Sequence, residues 1–164
     1  MPFQSTSRLV GSSSSHVTDK NSPCIVFTDG GARGNPGPAA AGGVIVTADG
    51  ALIAEVSEYL GVATNNVAEY RALILTLRRA LDEGCRSVDI RMDSELVVRQ
   101  LEGKYRVKDA KMQPLHAAAV KLMAQFDRAH VRHVRRDENT LADTLVNAVL
   151  DAREQSMREA KMGL

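Results

Sequence analysis

The chain has 164 residues, 44% of them hydrophobic, which is enough for one domain with a core of its own. Its formal net charge of +1 excludes the strongly basic composition of many nucleic-acid-binding domains, so only local patches could hold a polyanionic partner. The sequence has neither an apolar run of membrane-spanning length nor a secretory signal, and we predict a cytoplasmic protein without a membrane partner.

The composition divides the chain into a folded part and two tails. Serine-rich residues 1–22 have few apolar positions, and we predict that they form a disordered tail. We place the folded domain at 23–153 and a C-terminal tail at 154–164. The two cysteines, Cys24 and Cys85, lack the C-x-x-C spacing of a zinc or redox site, and we predict two buried free thiols.

The first elements of the domain are three strands with hairpin-like connections. Apolar and alternating runs predict these strands at 24–29, 42–47 and 52–60. Asp49 and Gly50 have the turn chemistry that joins the last two strands.

Helices and strands alternate in the rest of the domain. A helix at 65–83 begins at a cap formed by Thr64 or Asn65 and ends at Gly84. The remaining elements are a strand at 88–93, a helix at 95–101 capped by Ser94, a helix at 112–126, a strand at 129–135 and a helix at 140–153. This order predicts an α/β fold in which helices pack on the faces of a mixed sheet.

Two carboxylates occupy positions that solubility does not explain. Asp29 ends an apolar strand, on the same face of that strand as Ile25 and Phe27. Glu69 lies one turn before Leu73 on the inward stripe of its helix, where an uncompensated charge is costly. Both positions indicate a cation nearby.

Two further acids lie where a strand ends and where a helix begins. Taken singly, Asp93 and Asp143 could stabilise helix starts, Asp29 could begin a turn, and Glu69 could pair with a nearby arginine. Taken together, the four acids would repel one another unless metal ions lay between them. Hard oxygen ligands indicate magnesium or manganese, and two ions about 4 Å apart suit in-line cleavage of a phosphodiester.

Four sequence blocks carry a resemblance to a known family. They are FTDGGARGNPGP at 27–38, TNNVAEYRAL at 64–73, MDSELVVRQL at 92–101 and ENTLADTLVNA at 138–148, and each contains one of the acids. In this order and spacing they resemble ribonuclease H type 1, and most closely the short bacterial and archaeal subgroup without a long basic handle. The resemblance implies a ribonuclease H-like fold with a five-stranded mixed sheet, three antiparallel strands and then parallel ones.

The resemblance also implies an activity and a set of ligands. The activity is endonucleolytic hydrolysis of the RNA strand of an RNA–DNA hybrid, which leaves 5′-phosphate and 3′-hydroxyl ends. By matching position, Asp29 would bridge two Mg²⁺ or Mn²⁺ ions, with Glu69 and Asp93 on one ion and Asp143 on the other. We predict a monomer. The alternatives are a nuclease of related fold that acts on another nucleic acid and a non-catalytic hybrid-binding module.

Substrate contacts are predicted around the acids. Asn35 in the GNPG loop, with Asn65 and Asn66 before the second acid, matches positions that the family uses near the minor groove of the hybrid. The same residues could serve only as turn and cap residues. We add Gly30 and Ser94, which directly follow two of the acids in the chain.

A basic stretch follows the short helix of the third block. Lys104 and Arg106, with Tyr105 between them, predict a phosphate-tracking patch of weak, salt-sensitive affinity. The alternative is a solvated connection, which charge runs usually are. Near the fifth strand, Arg135 is the predicted phosphate contact, with Arg136 as the other choice.

Three further side chains near the last acid are candidates for auxiliary roles. His133 lies ten residues before Asp143, where some family members carry a histidine that assists product release or proton transfer, but it could also be a strand surface residue. Asn139 and Asn147 flank Asp143 at i−4 and i+4. Either asparagine could orient the carboxylate or cap the helix.

Overall fold

The computed structural model describes residues 22–163, so the tail predicted for 1–22 lies almost entirely outside the described residues. Within that range the chain forms five strands, four α-helices and a 3-10 turn at Arg136–Glu138. The strands are β1 (Cys24–Ala32), β2 (Gly37–Val46), β3 (Leu52–Ala63), β4 (Ser87–Met92) and β5 (Arg128–His133). The helices are α1 (Asn65–Asp82), α2 (Glu95–Leu101), α3 (Gln113–Met123) and α4 (Thr140–Lys161).

The strands form one mixed sheet in the order β3-β2-β1-β4-β5. β2 pairs antiparallel with β1 and β3, whereas β4 pairs parallel with β1 and β5. The predicted five-stranded mixed sheet is therefore confirmed, including its antiparallel and parallel halves. Because β1 and β4 run parallel, their carboxyl ends meet at one edge of the sheet, where Thr28 is level with Met92.

Helices cover both faces of the sheet. Apolar side chains of α1, α2 and α3 join those of the strands in the main core, in which Tyr70 and Leu77 are fully buried. On the opposite face α4 packs across β1, β2 and β3, with Val146 and Leu150 against Ala40. The sheet is thus sandwiched between α1 and α4, each of which carries one of the predicted acids.

Two adjacent glycines in β2 permit this close packing. A Cβ at Gly43 would overlap the side chain of Thr76 in α1. A Cβ at Gly42, on the other face, would come within 3.1 Å of the carbonyl oxygen of Ala142 in α4. Side chains at these two positions would push α1 and α4 away from the sheet.

Cys24 and Cys85 form a disulfide, so the prediction of two free thiols is wrong. Cys24 begins β1, and Cys85 lies between α1 and β4, which pairs parallel with β1. This pairing brings the two Cα atoms to 6.0 Å, a separation that a disulfide can bridge. The bond closes a segment of 61 residues that contains the three antiparallel strands and α1.

The last helix is longer than predicted. α4 continues to Lys161, so most of the C-terminal tail predicted at 154–164 is helical. Its last buried apolar residue is Leu150, which explains why the apolar period ended near that point. The residues that follow are mostly good helix formers, and Gly163, with a φ of +74°, is the first helix breaker. Between residues 22 and 163 no helix combines the length and the apolar character needed to cross a bilayer.

Candidate active site

The four predicted acids come from four different elements and line one open cavity of about 340 Å³. Asp29 lies in the second half of β1, and Asp93 directly follows β4 at the same edge of the sheet. Glu69 lies in the second turn of α1, and Asp143 lies in the first turn of α4. The parallel pairing of β1 with β4 and the packing of one helix on each face bring these side chains together.

Three of the four carboxylates form a tight group. One oxygen each from Asp29, Glu69 and Asp93 lies within 4.8 Å of the other two. Asp143 approaches Asp29 from α4, close enough for a hydrogen bond between the two carboxyl groups. Asp29 therefore contacts acids on both sides, which is the arrangement that the resemblance implies for a ligand shared by two ions.

Burial and mutual repulsion disfavour the charged forms of these acids. Burial, followed by the charges of Asp93 and Asp143, raises the pKa of Asp29 from 3.8 to about 8. Burial and then the charges of Asp29 and Asp93 raise the pKa of Glu69 well above its usual 4.5. Within the described part of the chain, Oε1 of Glu69 is buried without a hydrogen-bond partner. A bound cation would relieve the repulsion and satisfy this oxygen.

Gly30 sets the distance between β1 and α1. A Cβ at this position would overlap the carbonyl group of Ala68 and the amide nitrogen of Glu69. The Gly30 backbone beside the Glu69 carboxylate lowers the pKa of that group and so partly offsets its rise. Gly30 also lines the cavity, and its contact with a substrate stays a prediction.

Arg136 is a cationic residue of the cavity. It begins the 3-10 turn before α4 and lines the cavity with the four acids. Its charge lowers the pKa of Asp29 and of Glu69, although burial and the neighbouring acids outweigh this effect. Its single positive charge can balance only one of the four carboxylates when all of them are ionised.

Two residues that we predicted near the acids lie elsewhere. Arg135 pairs with Asp137 at 3.1 Å and with Glu138 at 4.0 Å, and it does not line the cavity. His133, the last residue of β5, is exposed and also lies outside the cavity lining. The 3-10 turn that follows β5 breaks the strand alternation, which is why Arg136 rather than Arg135 faces the acids.

The two asparagines that flank Asp143 have different partners. The Asn139 side chain does not cap α4, and its Nδ2 donates instead to the carbonyl oxygen of Thr28, directly before Asp29, at 2.9 Å. Nδ2 of Asn147 donates to the carbonyl oxygen of Asp143 at 3.1 Å and to Oδ2 of its carboxylate at 3.2 Å. The contact that we predicted for an asparagine with this carboxylate is therefore made by Asn147.

Asn35 and Asn65 tie the β1–β2 turn to the start of α1. Oδ1 of Asn35 accepts from the Asn65 N–H at 3.0 Å, and Oδ1 of Asn65 accepts from the Ala32 N–H at 2.8 Å. Thr64, one of the two predicted caps, is the residue that caps α1. Asn65 and Ser94 line the cavity, and the Ser94 hydroxyl caps α2 as predicted.

A shallow groove lies beside the cavity. Asn66, Lys104, Tyr105 and Arg106 line it, and its volume is about 680 Å³. Asn65 lines the cavity, and Asn66, the next residue, lines the groove. The start of α1 therefore separates the cavity from the groove. The structure thus brings three of the predicted substrate contacts to one surface next to the acids.

A buried network that the sequence analysis missed supports the groove. The Tyr70 hydroxyl donates to Oε1 of Gln100 at 2.6 Å, and Nε2 of Gln100 donates to the carbonyl oxygen of Arg106 at 3.4 Å. Tyr70 directly follows Glu69, so these bonds connect the helix of that acid with the basic segment. A glutamine on the inward side of α2 is the sequence signal that could have revealed the network.

Comparison with known proteins places this arrangement in a family. A family model described as "Reverse transcriptase-like" matches residues 27–149. The bifunctional protein Rv2228c of Mycobacterium tuberculosis is 45% identical over 133 residues, which are 80% of this chain and 36% of that protein. Ribonuclease HI of Halobacterium salinarum is 42% identical over 133 residues, which are 81% of this chain and 67% of that protein. The chain therefore spans only about a third of its mycobacterial relative.

Solved structures share the fold. The N-terminal RNase H domain of Rv2228c superposes with a TM-score of 0.80 at 43% identity, covering 84% of this chain and 99% of that one. LC11-RNase H1 in complex with an RNA/DNA hybrid superposes with a TM-score of 0.76 at 41% identity, covering 79% of this chain and 98% of that one. The chain therefore belongs to the ribonuclease H family, in its type 1 branch.

Proposed function

We propose that the chain is a magnesium- or manganese-dependent endonuclease that hydrolyses the RNA strand of RNA–DNA hybrids. The observation that carries the proposal is the convergence in one open cavity of four carboxylates, which lie in or directly after β1, α1, β4 and α4. The proposed products have 5′-phosphate and 3′-hydroxyl ends. A monomeric state and a cytoplasmic location stay predictions from the sequence.

The donor set suits two divalent ions. Carboxylate oxygens are the ligands that Mg²⁺ and Mn²⁺ prefer, and the unpartnered Oε1 of Glu69 is a buried oxygen of this kind. Asp29, Glu69 and Asp93 would hold one ion, and Asp29 with Asp143 would hold the other. When bound, such a pair of ions activates a water molecule and stabilises the leaving oxygen of a phosphodiester.

The chain's own residues prepare the carboxylates for this task. The Gly30 backbone and the charge of Arg136 both lower the pKa of Glu69 and so favour its ionised form. Nδ2 of Asn147 donates to Oδ2 of Asp143 and restricts the orientation of this carboxylate. Ligands that are positioned before binding lose less conformational entropy when the ion and the substrate arrive.

Two observations support a hybrid as the substrate. LC11-RNase H1, which matches 79% of this chain, has been solved in complex with an RNA/DNA hybrid. Here the groove with Lys104 and Arg106 lies directly beside the cavity, so a strand whose phosphates contact the groove would pass close to the acids. Asn65 lines the cavity and Asn66 lines the groove, and their carboxamides can form hydrogen bonds with a 2′-hydroxyl of the RNA strand.

A cleavage assay with matched substrates tests the proposal. The full chain is incubated with a hybrid, a duplex RNA and a duplex DNA of one sequence, in Mg²⁺, in Mn²⁺ and in EDTA. We expect cleavage of the RNA strand of the hybrid alone, and none in EDTA. A DNA polymerase should extend the products, because each would end in a 3′-hydroxyl.

Two other results would replace the proposed function. Cleavage of duplex RNA or duplex DNA in preference to the hybrid would indicate a nuclease of related fold with another substrate. Hybrid binding without cleavage in either ion would indicate a non-catalytic binding module. The four acids favour catalysis over simple binding, because carboxylates that face phosphates weaken binding when no metal ion lies between them.

A further inference from the structure

Arg33 lies in the β1–β2 turn, at the rim of the cavity, and its side chain reaches α4. Nη2 donates to Oδ1 of Asn147 at 3.2 Å. Nη1 pairs with Asp151 at 2.8 Å and with Glu154 at 2.7 Å. The guanidinium is therefore held on one face of α4, with one arm directed to Asn147 and the other to two acids.

Asn147 lies between Arg33 and the predicted metal ligand Asp143. A carboxamide has an oxygen that only accepts hydrogen bonds and a nitrogen that only donates them. Arg33 can only donate, so its contact with Oδ1 turns Nδ2 of Asn147 toward Asp143. Without Arg33, Oδ1 of Asn147 loses its partner, and only the two bonds from Nδ2 to Asp143 restrict the rotation of the carboxamide.

Among the four acids of the cavity, the Asp143 side chain is the one least restricted by burial and by neighbouring carboxylates. The other three carboxylates form the tight group within 4.8 Å, and Asp29 and Glu69 are buried, which restricts their rotamers. Asp143 is only half-buried and lies outside that group. Its hydrogen bond from Asn147 therefore helps to hold the carboxylate in one orientation.

We infer that Arg33 is a positioning residue that acts through Asn147 on the Asp143 carboxylate and thereby strengthens metal binding at this acid. The inference rests on the proposed function, because it assigns Asp143 to a metal ion. Asp151 and Glu154 balance the charge of Arg33, so its effect comes from the geometry of its hydrogen bonds rather than from a free positive charge.

Calorimetric titration with Mn²⁺ tests the inference without a cleavage assay. Asn147→Ala removes the carboxamide, and Arg33→Met keeps most of the side-chain volume but removes both hydrogen-bonding arms. We expect the Mn²⁺ dissociation constant to rise about tenfold for Asn147→Ala and about threefold to tenfold for Arg33→Met. The double variant should bind no more weakly than Asn147→Ala, because both substitutions break the same chain of contacts.

Two further variants serve as controls. Arg79→Met removes an arginine that pairs with Glu83 on the surface of α1, and it should leave Mn²⁺ binding unchanged. Arg33→Lys keeps the charge but not the planar fork, so it should bind Mn²⁺ as weakly as Arg33→Met. Full rescue by lysine, with no hydrogen bond from the ammonium to Oδ1 of Asn147 in the crystal structure of that variant, would show that charge alone matters and would overturn the inference.

Three other results would also overturn it. The first is an unchanged Mn²⁺ affinity in Arg33→Met, and the second is a loss of Mn²⁺ affinity in the double variant that equals the sum of the two single losses. The third is a higher KM for the hybrid in Arg33→Met or Asn147→Ala with unchanged Mn²⁺ affinity. If the wild-type chain neither binds Mn²⁺ nor cleaves the hybrid, the proposed function and the metal-binding part of this inference fail together, and the crystal structure of Arg33→Met then tests only whether Arg33 positions Asn147. An Asn147 side chain that still donates to Asp143 there would contradict it, whereas a rotated carboxamide would support it.

Discussion

Asn139 and Thr28 lie 111 residues apart in the chain, and a hydrogen bond between them ties the start of α4 to β1. Nδ2 of Asn139 donates to the Thr28 carbonyl oxygen at 2.9 Å, and both residues are buried. Asp29 directly follows Thr28, and the Asp143 N–H donates to the carbonyl oxygen of Asn139. The bond therefore fixes the separation of these two acids.

Replacing Asn139 by alanine should weaken both the fold and the site. The Thr28 carbonyl oxygen would lose this buried hydrogen bond, and we predict that the free energy of unfolding falls by about 1–3 kcal/mol. Cleavage of the hybrid should slow as well, because Asp143 would lose its fixed distance from Asp29. Urea unfolding measures the first effect, with Gln155→Ala, an exposed change on α4, as the control. Equal stability of Asn139→Ala and the wild type would contradict the assigned role.

Asp29 should make the metal-free protein less stable as the pH rises. Its pKa in the folded state is raised from 3.8 to about 8, so between these values the folded state binds a proton that the unfolded state has lost. The free energy of unfolding therefore decreases across this window. In EDTA we predict that Asp29→Asn is more stable than the wild type at about pH 8, by on the order of 2 kcal/mol.

Urea unfolding of both proteins in EDTA, at about pH 5 and about pH 8, measures this difference. The advantage of Asp29→Asn should be larger at the higher pH, because folding of the wild type then requires uptake of a proton that the unfolded state has released. An advantage that is the same at both pH values, or that reverses, would show that Asp29 titrates normally in the folded protein.

Reduction of the disulfide should lower stability without changing the site. Cys24 and Cys85 are separated by 61 residues, and the chain-entropy model assigns a bridge of this length about 4 kcal/mol, with 2–4 kcal/mol typical of measurements. Cys24 begins β1, whereas Asp29 lies toward its other end, so we expect unchanged hybrid cleavage. Urea unfolding with and without dithiothreitol measures the change. The double variant Cys24→Ala/Cys85→Ala should not respond to dithiothreitol, and a wild type that is equally insensitive would refute the prediction.

The groove should contribute a salt-dependent part of hybrid binding. We predict that Lys104→Ala and Arg106→Ala weaken binding and reduce the slope of log affinity against log salt by about one for each lost phosphate contact. The effect of Lys104→Ala should be the smaller one, because Lys104 also pairs with Glu102 at 3.4 Å. Fluorescence anisotropy in EDTA gives the slopes, with Lys121→Ala on α3 as the control. Slopes that match the wild type in both variants would exclude the groove from the binding surface.

The positions of the four acids in the fold could be predicted because local patterns mark each one. The alternation of β1 places Asp29 on a defined face, and the helical stripe that contains Leu73 turns Glu69 inward. Asp93 and Asp143 follow a strand end and a helix start, which capping residues and apolar periods reveal. The sheet could be predicted for the same reason, since its strands alternate clearly.

Contacts between distant segments could not be predicted from local patterns. The Cys24–Cys85 bond depends on the pairing of β1 with β4, which no local period specifies. The choice between Arg135 and Arg136 depends on a single 3-10 turn. The reach of Arg33 to α4 depends on how that helix crosses the sheet. Each of these contacts is set by tertiary packing, and each lies beside elements that were themselves predicted.

The rate at which Asp29→Asn cleaves a hybrid in Mg²⁺ tests the central claim most directly. Asp29 lies between the other acids, so its loss should disrupt both proposed ions while the isosteric amide preserves the fold. We predict a loss of about a thousandfold or more in kcat, together with an unfolding transition as cooperative as that of the wild type. Magnesium-dependent cleavage by Asp29→Asn within about tenfold of the wild-type rate would contradict the claim that these carboxylates hold the ions.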